Sequence, residues 1–293
     1  MRYVVEHRAR RHFEQAVREH QCELRIVPRD DAHQTLVGVK LTTEPDAAVN
    51  GYVDYFGNRV THVEIVKPHD EVTTQMRAEV ETRLDNPFDF PLLAPVAERN
   101  WLRDELQRQP RLWDFVLHRS ALTPDITRLE GEDISWPTYD AQEHLMDMLL
   151  TARDWLSAVI TLDSELSDPR AASEVLKTRS GNAQDMAHLL VSVVRRWGFA
   201  ARYVTGYREN DPDEEKADEA ALHAWAEVLI PGAGWRGFDP AMSLVVNSSY
   251  VAVGVGRDAD DVPFLRSSFR GADEASVQVQ LRLLRQEEAA QQQ

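Results

Sequence analysis

The chain has 293 residues, of which 43% are hydrophobic, and this length favours two domains with sizeable cores. Acidic side chains outnumber basic ones by 49 to 33, so the net charge of −16 disfavours nucleic acid and anionic membrane surfaces as partners. The single cysteine, Cys22, excludes an internal disulfide framework and favours a reducing compartment. Charged residues near Met1 and the lack of a long apolar run lead us to expect a cytoplasmic protein without a membrane span.

Residues 1–90 are predicted to form a β-sandwich-like domain. Alternating apolar residues indicate strands in five segments: 23–28, 34–42, 49–55, 60–66 and 71–84. Residues 56–59 have the composition of a hairpin turn. Residues 12–19 show a short helical periodicity, so a helix is the alternative prediction for this segment.

Segment 91–138 is predicted to hold a linker and the first helices. Pro87, Pro91 and Pro95 mark the linker, which extends to about residue 100. Helical periodicity follows at 98–119, where Pro110 interrupts it, and again at 139–160. The polar stretch 123–137 between them is interpreted as a loop that forms a lid or a groove wall.

A buried helix that begins at residue 183 is the centre of the predicted core, which spans 139–285. One face of a 3.6-residue period carries its apolar residues: Met186, Leu189, Leu190, Val193, Val194 and Trp197. Asn182 is predicted as the N-cap, with Asp185 completing a capping box, and Gly198 as the residue that ends the helix. Ala183 is therefore the first helical residue, where the helix dipole would lower the pKa of a thiol.

Two strands downstream of this helix carry a histidine and an aspartate. Residues 222–229 alternate so that His223, Trp225 and Glu227 share one face. Residues 234–239 form a short strand that ends at Asp239. A nucleophile on a helix N-terminus, followed by a histidine base and an aspartate that orients it, is a catalytic arrangement reached here in chain order.

Four sequence blocks of this region resemble the core of bacterial transglutaminase-like proteins: GNAQDMAH at 181–188, ARYVTGY at 201–207, HAWAE at 223–227 and GWRGFDP at 234–240. The stretch 250–263 is similar to the end of that core. In the first 90 residues, LRIVPR at 24–29, DYFGNR at 54–59 and KPH at 67–69 resemble the N-terminal β domain that precedes the core in the same family. The resemblance implies an α+β fold in which a papain-like core, a helix bundle packed on an antiparallel sheet, follows the β domain.

The resemblance also implies the roles of three residues. The position of Ala183 is that of a cysteine nucleophile, and His223 and Asp239 are its partners. Such an enzyme attacks amide bonds of peptides or proteins through a thioester, which water or an amine then resolves. Because Ala183 has no sulfur, the chain as given is inactive in this reaction. We favour an engineered Cys→Ala replacement in an enzyme; the alternative is a natural pseudoenzyme that binds peptides or acts as a scaffold.

Further expectations concern the surroundings of the site. Gln184, Trp225 and Tyr207 are predicted to contact substrate, with helix capping open for Gln184 and core packing open for both aromatic residues. His188 is interpreted as a satisfied polar residue, and Glu227 either bonds within the sheet or reaches the cleft. We expect no cofactor and no metal, because metal-ligand spacings are absent from the sequence. The expected partner is a peptide or protein substrate, and the oligomeric state is left open.

The end of the chain is predicted to close a sheet and then to lose structure. Residues 243–255 are rich in strand formers, and residues 276–284 alternate as a further strand. Residues 286–293 are predicted to form a disordered tail because they are rich in Glu, Ala and Gln.

Overall fold

The structure is a computed structural model that describes residues 1–129, 134–166, 168–210, 221–271 and 275–286. The fold is α+β, as predicted. Its strands in chain order are β1 (Arg2–Leu24), β2 (Gln34–Glu44), β3 (Ala48–Val53), β4 (Arg59–Ile65), β5 (His69–Thr82), β6 (Thr161–Leu162), β7 (Ser180–Gly181), β8 (Ala201–Arg208), β9 (Ala221–Ile230), β10 (Gly234–Asp239), β11 (Leu244–Val245), β12 (Tyr250–Gly256), β13 (Leu265–Arg270) and β14 (Ala275–Gln286).

The helices lie between the two large groups of strands and within the second group. They are α1 (Pro95–Arg108), α2 (Asp114–Leu117), α3 (Leu145–Val159), α4 (Ala172–Thr178) and α5 (Ala183–Arg196), with short 3₁₀ helices at Pro110–Trp113, Ile126–Arg128 and Ala259–Asp261. Across the described ranges, every helix is too short or too polar to span a bilayer. Thr123 and Ile126 are buried, so this part of the loop predicted as a lid or groove wall packs into the core. Residues 130–133 of that loop lie outside the described residues.

Strand β1 organises the N-terminal sheet because it is long enough to pair with four other strands. Its first part, from Arg2 to Phe13, lies between β5 and β14, and its last part, from residue 18 to Leu24, lies between β4 and β13. The helix considered for residues 12–19 is wrong, because this segment is strand. Phe13, Val17 and His20 are buried at spacings of four and three residues, which imitate a helical period, and the pairing with β5 shifts register between His12 and Val17.

The last two strands return to the N-terminal sheet. Strand β14 confirms that residues 276–284 form a strand, and it pairs with β1 from Arg2 opposite Gln286 to Phe13 opposite Ala275. These residues belong to the segment 139–285 that was predicted to form the core. An alternating pattern indicates a strand but does not identify a partner that is far away in sequence. Apart from Gln286, the tail predicted to be disordered lies outside the described residues.

The core contains a five-stranded antiparallel sheet in the order β11-β10-β9-β8-β12, and α5 packs against its β8 and β9 strands. The predicted apolar face of α5 is confirmed: all six of its residues, from Met186 to Trp197, are buried. The chain leaves the helix at Gly198, whose φ of 87° lies in the left-handed region that favours glycine. A helix this buried holds its first residue, Ala183, at a fixed position relative to the sheet.

Two side-chain amides join the N-terminal domain to the core sheet at strand β12. The Gln34 amide donates to the Ala252 carbonyl at 2.7 Å and accepts from the Ala252 N–H at 2.8 Å. The Asn58 amide bonds the carbonyl and the N–H of Val255 in the same way, both at 2.8 Å. Each amide thus acts as a short stretch of neighbouring strand and satisfies backbone groups at the edge of the sheet.

Candidate active site

The N-terminus of α5 is fixed by a capping box, as predicted. The Asn182 side chain accepts a hydrogen bond from the Asp185 N–H at 2.9 Å, and the Asp185 carboxylate accepts one from the Asn182 N–H at 3.2 Å. The Arg170 N–H donates to the other Asp185 oxygen at 2.7 Å. Burial raises the pKa of Asp185, and these hydrogen bonds oppose that shift. The box leaves Ala183, the first helical residue, half-buried.

Ala183 and His223 line one cavity of about 940 Å³ between the N-terminus of α5, the start of β9 and the segment that leads into β13. Gln184 lines it beside Ala183, and Leu222 and Phe264 contribute apolar wall. The cavity is large enough for several residues of a peptide, since ligand pockets commonly measure about 300–1,000 Å³. The structure therefore brings the predicted nucleophile position and the predicted base to the same space.

His223 and Asp239 form a buried hydrogen-bonded pair at the wall of this cavity. The His223 Nε2 atom lies 2.6 Å from the Asp239 Oδ2 atom, and the two side chains come from neighbouring strands, β9 and β10. His223 is 8% exposed and Asp239 is 0% exposed. A neutral imidazole carries one N–H, so the proton on Nε2 leaves Nδ1 as the basic nitrogen.

Asp239 is held by three further donors. The Tyr250 hydroxyl donates to Asp239 Oδ2 at 2.8 Å, and the N–H groups of Ala241 and Met242 donate to Oδ1 at 3.0 and 3.2 Å. Burial, together with the Asp239 charge, raises the pKa of Tyr250 far above its ordinary value, so the hydroxyl keeps its proton and donates. Tyr250 was not predicted as a site residue, because its only signal in the sequence was its place in the stretch 250–263 that resembles the end of the family core.

Two of the predicted substrate contacts lie elsewhere. Tyr207 is 0% exposed, and its hydroxyl donates to the Ile26 carbonyl at 2.9 Å in the core of the N-terminal domain. Trp225 is 1% exposed and packs edge-on against Tyr250 behind the cavity. Neither side chain lines the cavity, so the packing interpretation holds for both. Trp225 lies two positions after His223 on β9 and shares its face of the sheet, but it does not reach the cavity.

Gln184, the third predicted contact, does line the cavity. Its side-chain oxygen accepts a hydrogen bond from the Tyr203 hydroxyl at 3.1 Å. His188 stacks on the same tyrosine, with ring centroids 4.5 Å apart, and its Nε2 accepts from the Ala259 N–H at 3.1 Å. His188 is therefore buried and packs against Tyr203. Glu227 bonds Arg202 at 2.5 Å within the sheet, which resolves the alternative that it reaches the cleft.

Family comparisons match both halves of the chain. The model of the transglutaminase-like superfamily matches residues 135–240, and that of the bacterial transglutaminase-like N-terminal region matches residues 3–81. An uncharacterized protein of Mycobacterium tuberculosis H37Rv is 30% identical over 293 residues, which cover 94% of this chain and 90% of that protein. The chain belongs to the bacterial transglutaminase-like family.

Two other relatives of this transglutaminase-like protein also match most of its length. An uncharacterized protein of Mycobacterium leprae is 29% identical over 265 residues, covering 88% of this chain and 90% of the relative. The crystal structure of a candidate cysteine protease from Cytophaga hutchinsonii superposes with a TM-score of 0.71 at 18% identity, covering 99% of this chain and 92% of that one. The whole two-domain architecture, and not the core alone, is therefore shared.

The cavity of this transglutaminase-like chain has the hydrogen-bonded pair of His223 and Asp239 at its wall, and the residue at the helix N-terminus is alanine. The chain's only thiol, Cys22, is buried in the N-terminal sheet, where its sulfur lies 2.9 Å from His20 Nε2. Burial raises the pKa of the Cys22 thiol to about 11, so it stays protonated at neutral pH. Cys22 cannot replace the missing sulfur at Ala183. Among the described residues, no group of histidine, cysteine and carboxylate side chains has the arrangement of a metal site.

Acidification is expected to destabilise the fold through His188. Burial lowers the pKa of His188 to about 3, from about 6.5 in the unfolded chain. Between these values only the unfolded chain takes up the proton, so stability is complete above about pH 6.5 and falls as the pH is lowered towards 3. The slope for one such histidine is about 1.4 kcal/mol per pH unit.

Urea unfolding at pH 7, 6 and 5 measures this slope. The His188→Gln variant should lose that part of the slope, because glutamine accepts a hydrogen bond without titrating. His12 is exposed, so the His12→Gln variant should keep the parent's slope. Equal slopes in the parent and the His188→Gln variant would contradict the assignment.

Proposed function

We propose that this site acts on amide bonds of peptides or proteins by acyl transfer through a thioester when position 183 carries a cysteine. With Ala183 the chain binds such substrates and does not convert them. The observation that carries the proposal is the 2.6 Å contact between His223 Nε2 and Asp239 Oδ2, beside the cavity that Ala183 lines. A base oriented by a buried carboxylate and facing a helix N-terminus is the arrangement that activates a thiol.

The proposed reaction has two halves. His223 Nδ1 takes the proton of a thiol at position 183, and the thiolate attacks the amide carbonyl. The tetrahedral intermediate collapses as His223 gives its proton to the leaving amine, which forms the thioester. Water or an amine then attacks the thioester, His223 takes the attacking group's proton, and the thiolate leaves and is reprotonated. Asp239 holds the imidazole in the required tautomer throughout.

Ala183 removes the first covalent step and leaves the rest of the site intact. The buried Asp239 keeps four hydrogen bonds, from His223, Tyr250, Ala241 and Met242. A site that only binds has no physical need for this network, which supports a Cys→Ala replacement in an enzyme. The absence of any accessible thiol from the described residues supports the second candidate, a natural peptide-binding protein. Both candidates share a peptide or protein partner, and the buried free thiol supports a cytoplasmic location.

Binding by the Ala183 form tests the common part of the proposal. We expect a fluorescent glutamine-containing peptide to bind the parent chain, and the Ala183→Phe variant to lose at least about tenfold in affinity, because the ring fills the space in front of the helix N-terminus. Fluorescence anisotropy measures both.

The same substitution at an exposed position of β1, Ala16→Phe, is the matched control and should leave affinity unchanged. Circular dichroism checks that both variants are folded. Equal affinities of the parent and a folded Ala183→Phe variant would show that peptides bind elsewhere, and would contradict the proposal.

A further inference from the structure

Arg208 at the end of β8 lies beside the histidine of the candidate site. In the pairing of β8 with β9, Gly206 is opposite His223 and Arg208 is opposite Ala221. Residues two positions apart on a strand share a face, so Arg208 is the diagonal neighbour of His223, with Cβ atoms no more than about 7–8 Å apart. The Arg208 side chain lines the same cavity as Ala183 and His223.

The Arg208 guanidinium uses few of its N–H donors in contacts with other described residues. It is half-buried and donates to the Glu209 carbonyl at 3.1 Å, and within the described ranges it forms no ion pair. Other arginine residues of the core sheet are engaged: Arg202 pairs with Glu227, and Arg236 bonds main-chain carbonyl groups. A guanidinium presents five N–H donors in a fork that matches a carboxylate. Arg208 thus offers most of that fork to the cavity.

Two arginine residues are among the described residues that line the cavity, and Arg208 is the half-buried one. Arg266 is exposed and donates to the main-chain carbonyl of Asp260, whose own side chain is exposed at the rim. Asp168, on the opposite side, already has an interaction partner. Apolar walls from Leu222 and Phe264 border the space. A ligand that reaches from Ala183 past His223 therefore meets the half-buried guanidinium of Arg208, which has no ion-pair partner in the described part of the chain.

We infer that Arg208 binds a carboxylate of the substrate, carried by a residue next to the reacting amide. This inference rests on the proposed function, because it deepens the choice of substrate at the same site. The carboxylate belongs either to an acidic side chain or to the end of a peptide chain. A charge-assisted, bidentate contact with a half-buried arginine favours the acidic substrate over its neutral amide by about tenfold or more.

Binding to the Ala183 form separates this contact from any chemistry. The probes are acetyl-Gly-Glu-Gln-Glu-Gly-amide and its neutral counterpart, acetyl-Gly-Gln-Gln-Gln-Gly-amide, which differ in charge and hardly in shape. A third probe, acetyl-Gly-Gln-Gln-Gln with a free terminal carboxylate, tests the second source of negative charge. Calorimetric titration should give the parent chain at least about tenfold tighter binding of one acidic probe than of the neutral probe.

Arg208→Gln should reduce this preference to about one while it leaves the affinity for the neutral probe within about twofold. Arg196 is exposed in the last turn of α5, so Arg196→Gln removes the same charge away from the cavity and should keep the parent's preference. Equal binding of all three probes to the parent would overturn the inference, and so would a preference that survives Arg208→Gln.

The outcomes also distinguish this inference from the proposed function. If the neutral and acidic probes bind equally and Ala183→Phe abolishes both, the peptide site stands and the role of Arg208 is wrong. If none of the three probes binds, both are wrong. Equal loss of all three probes in Arg208→Gln would indicate a structural role and would likewise overturn the carboxylate contact.

Discussion

The Ala183→Cys variant is expected to react with iodoacetamide at neutral pH and to hydrolyse or transfer glutamine amides, whereas the parent does neither. The new thiol would sit at the first position of α5, where the helix dipole and His223 favour the thiolate, so its pKa should fall below about 7.5. The gain in turnover should be on the order of 10³-fold or more, since removal of the nucleophile alone costs a triad enzyme about 10⁶ in kcat. Ammonia release measures formation of the thioester, which hydrolysis and transfer share, and amine incorporation measures the fraction that is transferred.

The existing cysteine, Cys22, does not interfere with the labelling measurement. Cys22 is 5% exposed and burial raises the pKa of its thiol to about 11, so label that appears in the variant reports on position 183. The double variants Ala183→Cys/His223→Ala and Ala183→Cys/Asp239→Asn are the controls. Both should keep a thiol and lose most of the turnover, the first because the base is gone and the second because the imidazole loses its orientation.

This result also decides between the two candidate functions. An enzyme that carries a Cys→Ala replacement should recover activity in one step, because the pair of His223 and Asp239 is already in place. A natural binding protein would show peptide affinity in the Ala183 form and no turnover after the change. A thiol at position 183 with a pKa near 8.5, together with no release of ammonia from the peptide, would contradict the proposal that the site is an enzyme's.

Arg195→Met is expected to lower the free energy of unfolding by about 3–5 kcal/mol, although Arg195 is far from the reacting atoms. Arg195 is 2% exposed, and burial lowers its pKa to about 9, so it is still charged at neutral pH. Its guanidinium donates at 2.7–3.2 Å to four carbonyl groups and one hydroxyl group, those of Phe115, His118, Ala201, Arg257 and Thr123. Methionine fills the volume but leaves these acceptors unpaired.

Arg196, the next residue, is the matched control because it is exposed in the same helical turn. Arg196→Met should change the free energy of unfolding by less than about 0.5 kcal/mol. Urea unfolding followed by tryptophan fluorescence measures both variants. If Arg195→Met costs no more than Arg196→Met, the buried guanidinium does not hold these segments together.

Local features of the core were predictable because short-range physics determines them. The capping box of Asn182 and Asp185, the end of α5 at Gly198 and the strand that ends at Asp239 all follow from residues within a few positions. The meeting of Ala183 and His223 at one cavity was expected only from a resemblance that spans four separated blocks. Periodicity alone would have left each of these residues an ordinary member of its element.

Features that depend on distant partners were not predictable. A basic residue in the last turn of a helix is expected to face solvent, yet Arg195 lies inward because loops from both sides offer it carbonyl groups. Tyr250 and Arg208 become candidate site residues only because the strand pairing places them beside Asp239 and His223, respectively. In β1, the spacing of the buried residues Phe13, Val17 and His20 resembles that of a helix, although the segment is strand. Sequence patterns report the element, and tertiary pairing decides what its side chains touch.

The two amides of Gln34 and Asn58 have a consequence for any attempt to isolate the core without the N-terminal domain. Strand β12 is the outermost strand of its sheet, and these side chains occupy hydrogen-bonding groups that a foreign polypeptide would otherwise use. A fragment that lacks the first 90 residues would present those groups bare, together with the apolar surface of Val251 and Val253. The N-terminal domain therefore protects the core sheet from self-association, and we expect that only the two-domain chain stays monodisperse.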